Sequence, residues 1–279
     1  MSSDSQLINS KKTEWIADAI LVIASALTVF PFLWIVWTAL KPEELAFRPG
    51  ATDFTPTLES FQLMFGRDPA LLYLGNTFVV AGATTIIALV LGGGAAYAMA
   101  RFDIGGDRLK VAFLFPIMVP PIAFSLSMFL AFDRIGILNS RITIVLAYMT
   151  FAIPFAVWFL TSFFEEFPEE LEEAAMVDGD TRIEALLYTV IPNLKPAFFA
   201  TGILIFIYSW NNFVFPFLLT TEGDLRTMPV LVSTYVTSSD LLVSHMSAAI
   251  IITVAPVLIL AYFLSKYLVA GISAESGID

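Results

Sequence analysis

Six apolar stretches dominate this chain, and each is long enough to cross a lipid bilayer as a helix. A span needs roughly 20 mostly apolar residues, because the hydrocarbon core is about 30 Å thick and a helix rises about 1.5 Å per residue. The first stretch is too long for the apolar part of a signal peptide and lacks a small-x-small cleavage pattern, so we expect it to be retained. The predicted fold is an all-α membrane protein with six transmembrane helices and both termini on one side. The six stretches are 16–40, 73–100, 109–131, 142–164, 197–220 and 247–269.

Composition supports this class and excludes others. The 279 residues are 58% hydrophobic and only 14% charged, whereas a soluble domain is about 25% charged. The absence of cysteine excludes a disulfide framework, and the single histidine, His245, excludes a multi-histidine metal site. A net charge of −11 makes nucleic acid an unsuitable partner. We therefore expect no metal and no cofactor bound by this chain.

An acidic loop at 165–196 separates the fourth and fifth stretches and carries nine acidic residues. Pro168 suits the first position of a helix, and Gly179 suits the left-handed turn that ends one. Thr181 opens the pattern of a capping box, which begins a second helix, and Pro192 is expected to end it. The loop is thus predicted to be a helix, a sharp turn and a second helix outside the membrane. An ordinary solvated loop would explain the acids but not the two alanines beside a glutamate, nor the defined turn.

Two spans contain residues that are unusual within a membrane. Pro120 and Pro121 fall near the middle of the third span, where they predict either a packed kink or a break that lines the pathway of a solute. Trp210, Asn211 and Asn212 fall inside the fifth span. The two amides are costly in hydrocarbon unless they find partners, so they predict either hydrogen bonds between helices or a gate on a pathway.

The spans do not resemble those of an ion-coupled carrier or a nucleotide-binding protein. Their centres carry no charged residue, whereas proton- and ion-coupled carriers usually need one. The glycine run that begins at Gly92 lacks the Lys and Ser/Thr of a phosphate-binding loop. Gly92 and Ala96 instead predict a small-residue face for close helix packing. If ATP drives transport, another polypeptide must bind it.

The polar segments 41–70 and 221–246 are long enough to receive a soluble partner. Residues 58–65 predict a short amphipathic helix, either at the membrane interface or as a plain connection. His245 is expected to be a solvated loop residue. Placing the termini and the acidic loop in the cytoplasm gives that side slightly more Lys and Arg, as the positive-inside rule expects.

The acidic loop resembles the EAA signature of permease subunits in ATP-binding-cassette importers. The resemblance lies in Glu173-Ala174-Ala175, in Gly179 after three residues, and in Thr189-Val190-Ile191-Pro192 after nine more. Other segments are similar to maltose-type carbohydrate permeases, specifically to the shorter, six-span member of a pair. These are Asn76-Thr77, Ala96-Tyr97-Ala98 before Arg101-Phe102, Ser209–Phe213, Thr227-Met228-Pro229-Val230 and the tail Ala270–Ala274.

The resemblance implies a type I importer permease fold with cytoplasmic coupling helices. It implies a cytoplasmic segment at 1–15, a permease domain at 16–269 and a cytoplasmic tail at 270–279, in the cell membrane of a prokaryote. The chain itself would not be an enzyme, since ATP and Mg would be bound by partner subunits. The implied pathway residues are Trp210, Asn211, Asn212, Pro120 and Pro121. The implied ATPase-coupling residues are Glu172, Glu173, Ala174, Ala175, Asp178, Gly179, Ile191 and Pro192.

The implied partners are a second permease, two ATPase subunits, an extracytoplasmic solute-binding protein, the lipid bilayer and a sugar. Two alternatives stay open. One is a related importer for a polyol or a glycerol phosphate, and the other is a channel or ion-coupled carrier that acts alone. The related importer differs only in the bound solute. A channel or carrier that acts alone would not explain the acidic loop.

Overall fold

The computed structural model describes residues 3–48, 50–221, 223–236 and 241–276. Nearly all of these residues are helical, and a single bridge between Val236 and Leu241 is the β-structure recorded among them. Short 3₁₀ turns lie at Glu43–Leu45 and Gly223–Leu225. The described helices are α1 Ser3–Ala39, α2 Glu59–Gly66, α3 Ala70–Phe102, α4 Gly106–Met118, α5 Pro121–Arg134, α6 Arg141–Glu166, α7 Glu169–Val177, α8 Arg182–Ala185, α9 Ile191–Asn193, α10 Lys195–Asn211, α11 Val214–Leu219, α12 Met228–Thr234 and α13 Val243–Ser276.

Four helices are long and apolar enough to cross a membrane, and two bent pairs bring the number of spans to six if each pair counts once. The four straight spans are Trp15–Ala39, Ala70–Phe102, Arg141–Glu166 and Val243–Phe263. The all-α prediction and the first, second, fourth and sixth apolar stretches therefore correspond to continuous helices.

The third predicted span is not a continuous helix. Val119 and Pro120 are extended, and α4 and α5 on either side of them are bent by 85°. Pro121 begins α5 in the first helical turn, where its missing N–H costs nothing. Of the kink and the break that the two prolines predict, the structure shows a break in the helix.

The fifth span also differs from its prediction. α10 ends at Asn211, Asn212 is extended, and α11 resumes two residues later. At the other end, Pro192 lies inside α9, and the helix ends at Asn193 before a bend of 78° into α10. A π-helical turn at Leu186–Val190 precedes it. Pro192 has no backbone N–H, so it cannot donate the hydrogen bond that a regular helix needs at this position. The wider π-helical turn lies directly before this missing bond.

The chain divides into two compact units, and the larger comprises Pro69–Ser233 and Thr253–Asp279. Its centre is the pairing of α3 with α6, on which α10 also packs. Gly92 and Ala96 are buried at this pairing, so the predicted small-residue face is confirmed. A Cβ at Gly202 of α10 would lie 3.1 Å from Leu89 of α3. Close helix contact in this unit therefore depends on residues without bulky side chains.

The smaller unit comprises Met1–Asp68 and Thr234–Ile252. In it, the Glu43 carboxylate accepts backbone N–H bonds from Val243 (2.7 Å), Ser244 (2.9 Å) and His245 (3.3 Å) at the start of α13. The His245 Nδ1 lies 2.8 Å from the same carboxylate. The expectation of a solvated histidine was wrong, because the His245 side chain is only 13% exposed. Glu43 caps this helix from a distant part of the chain.

Candidate functional site: the acidic loop

The acidic loop forms a helix, a turn and a second helix, as the sequence predicts. α7 begins directly after Pro168 and ends at Val177. Gly179 has a φ of +115°, a backbone conformation that only glycine adopts without strain. Thr181 and Glu184 form a complete capping box at the start of α8. Hydrogen bonds from the Thr181 hydroxyl and backbone N–H lower the pKa of Glu184, so this exposed cap stays charged at neutral pH.

One face of the loop is open to solvent. Glu173, Ala174 and Gly179 are exposed, whereas Ala175 is partly buried. Val177 is an apolar side chain at the end of α7, and it is 86% exposed. The exposed surface of α7 therefore combines a carboxylate, a small side chain and an apolar side chain. Asp178, the residue after Val177, is exposed on the same turn.

The resemblance groups Glu172 with the ATPase-coupling residues, but Glu172 does not belong to this open face. Its side chain is only 3% exposed. It accepts hydrogen bonds from the Arg101 Nε (2.9 Å) and from the Tyr97 hydroxyl. The Arg182 guanidinium lies 3.6 Å away. Neighbours in the sequence thus diverge: Glu172 points toward the membrane spans, and Glu173 points to solvent.

Arg101 links three helices through one buried guanidinium group. Besides Glu172, its Nη1 donates to the carbonyl of Phe164 (2.8 Å) and its Nη2 donates to the carbonyl of Phe167 (3.0 Å). The Phe164 carbonyl is in the last turn of α6, where no helical N–H can reach it. Glu169, in the first turn of α7, lies 3.5 Å from Nη1 at the edge of the cluster. From the last turn of α3, Arg101 therefore bonds the end of α6 and the buried carboxylate of α7.

Ile191 and Pro192 lie at the bend between the loop and α10, apart from the Glu173 face in the fold of the loop. The Ile191 N–H donates to the carbonyl of Leu186 and closes the π-helical turn. Ile191 also lines an apolar groove of about 640 Å³ along α10, with Lys195 near its end. These residues set the angle at which the loop leaves the membrane span.

The predicted pathway residues separate into two kinds. Trp210 is fully buried, and its Nε1 donates to the carbonyl of Thr253 (2.8 Å). Its ring lies 4.6 Å from Phe78 and 5.6 Å from Phe206 between ring centres. Trp210 therefore packs the interior of this chain and lines no open pathway, which corrects the expectation. An indole in a bilayer interior needs a partner for its N–H, and the Thr253 carbonyl supplies it.

Asn211 and Asn212 mark the end of α10. The Asn211 side chain is exposed and donates to the carbonyl of Ile207 in its own helix (2.9 Å), so it joins no two helices in the part of the chain that the structure describes. Asn212 is extended, its side chain accepts from the N–H of Phe215, and its carbonyl accepts from the Tyr148 hydroxyl. The backbone break at this depth is thus satisfied by polar side chains.

Pro120 is exposed, and Pro121 lines a cavity of about 370 Å³ beside the break between α4 and α5. The other walls come from α4, α6 and α10, and include Ile117, Phe155 and Tyr208. Tyr208 lies one turn before Asn212, so the cavity and the second helix break occupy neighbouring positions along α10. The structure thus associates both proline residues with the break but only Pro121 with the cavity.

Among the described residues, no group of three or more metal-ligating side chains lies together. The functional residues that the sequence analysis did not single out are Arg101, Tyr97 and Arg182. Arg101 and Tyr97 fall in a segment that the resemblance included, but no spacing rule pairs them with residue 172. The available signal was a single arginine at the end of an apolar span, beside a loop rich in acids.

Comparison with known proteins identifies the family. The model for the binding-protein-dependent transport system inner membrane component matches residues 88–274, which is more than half of the chain. The chain belongs to this family. As a binding-protein-dependent transport component, it is a multi-pass membrane protein and a transport permease.

Relatives of this transport component cover nearly its whole length. It is 33% identical over 274 residues to the sulfoquinovosyl glycerol transport system permease protein SmoH of Agrobacterium fabrum, covering 97% of this chain and 95% of the relative. It is 29% identical over 258 residues to the trehalose/maltose transport system permease protein MalG of Thermococcus litoralis, covering 91% and 92%. A chain from the crystal structure of a bacterial ABC transporter that imports alginate shares the fold. Its TM-score is 0.75 at 21% identity, over 92% of this chain and 97% of that one.

Proposed function

We propose that this transport component is one permease of an ATP-driven importer that takes up a sugar across the cell membrane of a prokaryote. The observation that carries the proposal is the protruding loop, in which Glu173, Ala174 and Val177 are exposed while Glu172 is held inside. The exposed residues are thus free to contact a partner, while Glu172 holds the loop against the membrane spans. The names of the relatives, which concern a sugar glycoside and trehalose or maltose, support a carbohydrate solute.

The loop is proposed to dock on a separate ATPase subunit. A carboxylate on an exposed face suits a basic residue of a partner, and the adjoining alanine and valine suit an apolar groove. This chain supplies no phosphate-binding loop, so ATP and Mg would be bound by two ATPase subunits. Their closure on ATP would pull the loop and thereby change the arrangement of the spans.

The pathway is proposed to lie between this chain and a second permease. Asn211, Asn212 and the cavity beside Pro121 would face it, since backbone breaks at membrane depth are tolerated where they are buried in protein or line a wet cavity. Trp210 would act behind this surface as a packing residue. The loop and both termini would be cytoplasmic, and segments 41–70 and 221–246 would face the solute-binding protein.

The energy source is tested by reconstitution of the complex in lipid vesicles. We expect ATP-dependent uptake only when the second permease, the ATPase and the solute-binding protein are present together. We expect no ATP hydrolysis by the isolated chain. Vanadate-sensitive ATP turnover by this chain alone, or uptake without the ATPase, would refute the proposal. The solute is identified from the ligand that the binding protein retains, and a polyol or glycerol phosphate there would favour the alternative importer.

Orientation is tested with a single introduced thiol, because the chain contains no cysteine. A Leu171→Cys variant places the thiol on α7, at an exposed position outside the proposed docking surface. A membrane-impermeant maleimide should label it in inside-out vesicles and not in intact cells. A Phe47→Cys variant in the opposite segment, where Phe47 is 63% exposed, should show the reverse pattern.

A further inference from the structure

We infer that Arg101 is a positioning residue for coupling: it makes the acidic loop move as one body with α3 and α6. The inference rests on the proposed function, because it concerns how a pull on the loop reaches the membrane spans. It does not concern the surface that the ATPase contacts. Arg101 is nearly inaccessible, with 3% of its side chain exposed.

The first argument is the geometry of the guanidinium group. Its Nε, Nη1 and Nη2 each have a separate acceptor, in Glu172 on α7, in Phe164 at the end of α6 and in Phe167 between the two helices. A guanidinium group is planar and rigid, so acceptors bound to different edges of it hold fixed positions relative to one another. A displacement of α7 must therefore displace the ends of α3 and α6, or break these bonds.

The second argument is the isolation of the cluster from solvent. Arg101 and Glu172 form a buried ion pair at 2.9 Å, and each side chain is 3% exposed. Breaking such a pair would leave an unpaired charge in a poorly solvated site, at a high cost in free energy. The connection between α3 and α7 therefore resists displacement. Nearby Lys110 and Glu165 pair as well, but their side chains are 31% and 41% exposed. An exposed pair is weak and screened, so it is poorly suited to transmit displacement.

The third argument is that Glu172 has further partners besides Arg101. The Tyr97 hydroxyl, one helical turn before Arg101, donates to the carboxylate as well. Arg182 on α8 lies 3.6 Å from Glu172 and 5.2 Å above the Phe102 ring. Both helices of the loop are thereby tied to the last turn of α3. The connection involves no residue of the open face.

The test replaces Arg101 by lysine in the complete importer complex in lipid vesicles. Lysine keeps the charge but presents one nitrogen, so it cannot reach Glu172 and both carbonyls together. We expect the complex to assemble and hydrolyse ATP, while solute transported per ATP falls about tenfold, within the usual range of coupling between sites. An Arg108→Lys variant makes the same chemical change at an exposed position and should retain the parent ratio.

A second measurement follows the loop itself. Spin labels on Ser162→Cys in α6 and Leu171→Cys in α7, which lies outside the proposed docking surface, report the separation of the two helices, and both sites are exposed. In the parent complex we expect one narrow distance distribution that is unchanged by ATP. In the Arg101→Lys complex we expect a broader distribution that shifts when ATP binds. A role confined to folding would not produce an ATP-dependent shift in an assembled complex.

Two further variants complete the design. Tyr97→Phe removes one hydroxyl that donates to Glu172, and Glu172→Gln removes the charge of the carboxylate. If the Arg101→Lys complex does not assemble, these two variants test the inference instead. Each should lower the solute transported per ATP and broaden the distance distribution. Unchanged ratios and distances in every variant that assembles would overturn the inference while the parent still transports. Absence of ATP-dependent uptake in the parent would instead refute the proposed function.

Discussion

Gly92 of α3 lies directly against Ala156 of α6: a Cβ atom at residue 92 would approach the Ala156 Cβ to 2.5 Å. The carbonyl of Ile153 would be 3.2 Å away, so neither neighbour could yield without moving the backbone of α6. The two helices form the most extensive pairing in the chain. Their separation is therefore set at this point by the absence of a side chain.

We expect Gly92→Val to destabilise the folded chain by about 1–3 kcal/mol or more, since overpacking forces the helices apart. Thermal unfolding in detergent measures the effect. Gly94→Val is the matched control, because nothing lies within 4 Å of a Cβ at Gly94. Equal melting temperatures for the two variants would show that the close approach does not determine stability.

Glu43 provides a second prediction in the smaller unit. Its carboxylate accepts three N–H bonds at the start of α13 and contacts His245. Glu43→Gln removes the charge that favours a helix N-terminus, and we expect a loss of about 1 kcal/mol in stability. Glu44→Gln changes the same group at the exposed neighbouring position. Thermal unfolding should distinguish the variants, and an equal loss in both would contradict a specific cap.

Local chemistry made much of the fold predictable. The capping box at Thr181, the turn at Gly179 and the small-residue face at Gly92 each depend on neighbours within a few positions, so the sequence encodes them directly. The straight spans follow from length and hydropathy alone. Pro120 and Pro121 predict either a kink or a break, but the 85° angle between the two helices depends on packing that no local pattern records.

The less predictable part is the direction in which each side chain points. Glu172 and Glu173 are identical residues at adjacent positions, and a helix turns them about 100° apart. Which one is buried depends on Arg101, 71 residues earlier in the chain. The indole of Trp210 likewise depends on a carbonyl at Thr253, 43 residues later. Such long-range partners are fixed by tertiary packing and leave no periodic signal.

Trp210 and Asn211 should respond in opposite ways, although they are adjacent. Asn211→Leu is expected to reduce uptake while the complex still assembles, because the amide bonds only within its own helix and its side chain is exposed. Trp210→Ala should instead destabilise the chain by about 3–5 kcal/mol, as expected for a large buried aromatic. Uptake and partner pull-down are measured for both. Loss of assembly in the Asn211→Leu variant would instead indicate that the Asn211 amide bonds to another chain of the complex.

Gly179→Leu tests the turn between α7 and α8. The φ of +115° is strained for any residue with a side chain, by about 1–3 kcal/mol. Nothing lies within 4 Å of a Cβ there, so the effect is conformational and not steric. We expect the second helix to change direction and uptake to fall, while the membrane spans keep their thermal stability. Met176→Leu introduces the same residue into α7 with little change in volume, and it should leave uptake near the parent level.

Glu173→Lys tests the open face of the loop. The side chain is exposed, and among the described residues it makes no bond that would stabilise the spans, so folding should not change. At a docked interface, reversal of one charge in a close pair can cost several kcal/mol, and every 1.4 kcal/mol lowers affinity tenfold. We therefore expect weaker binding of the ATPase subunit and loss of uptake, measured by pull-down and by transport in vesicles. Glu166→Lys reverses a charge at an exposed position at the end of α6, outside the proposed surface, and should have a smaller effect. If Glu173→Lys retains the parent's uptake and ATPase affinity, the loop is a solvated connection and its assignment as the docking surface fails.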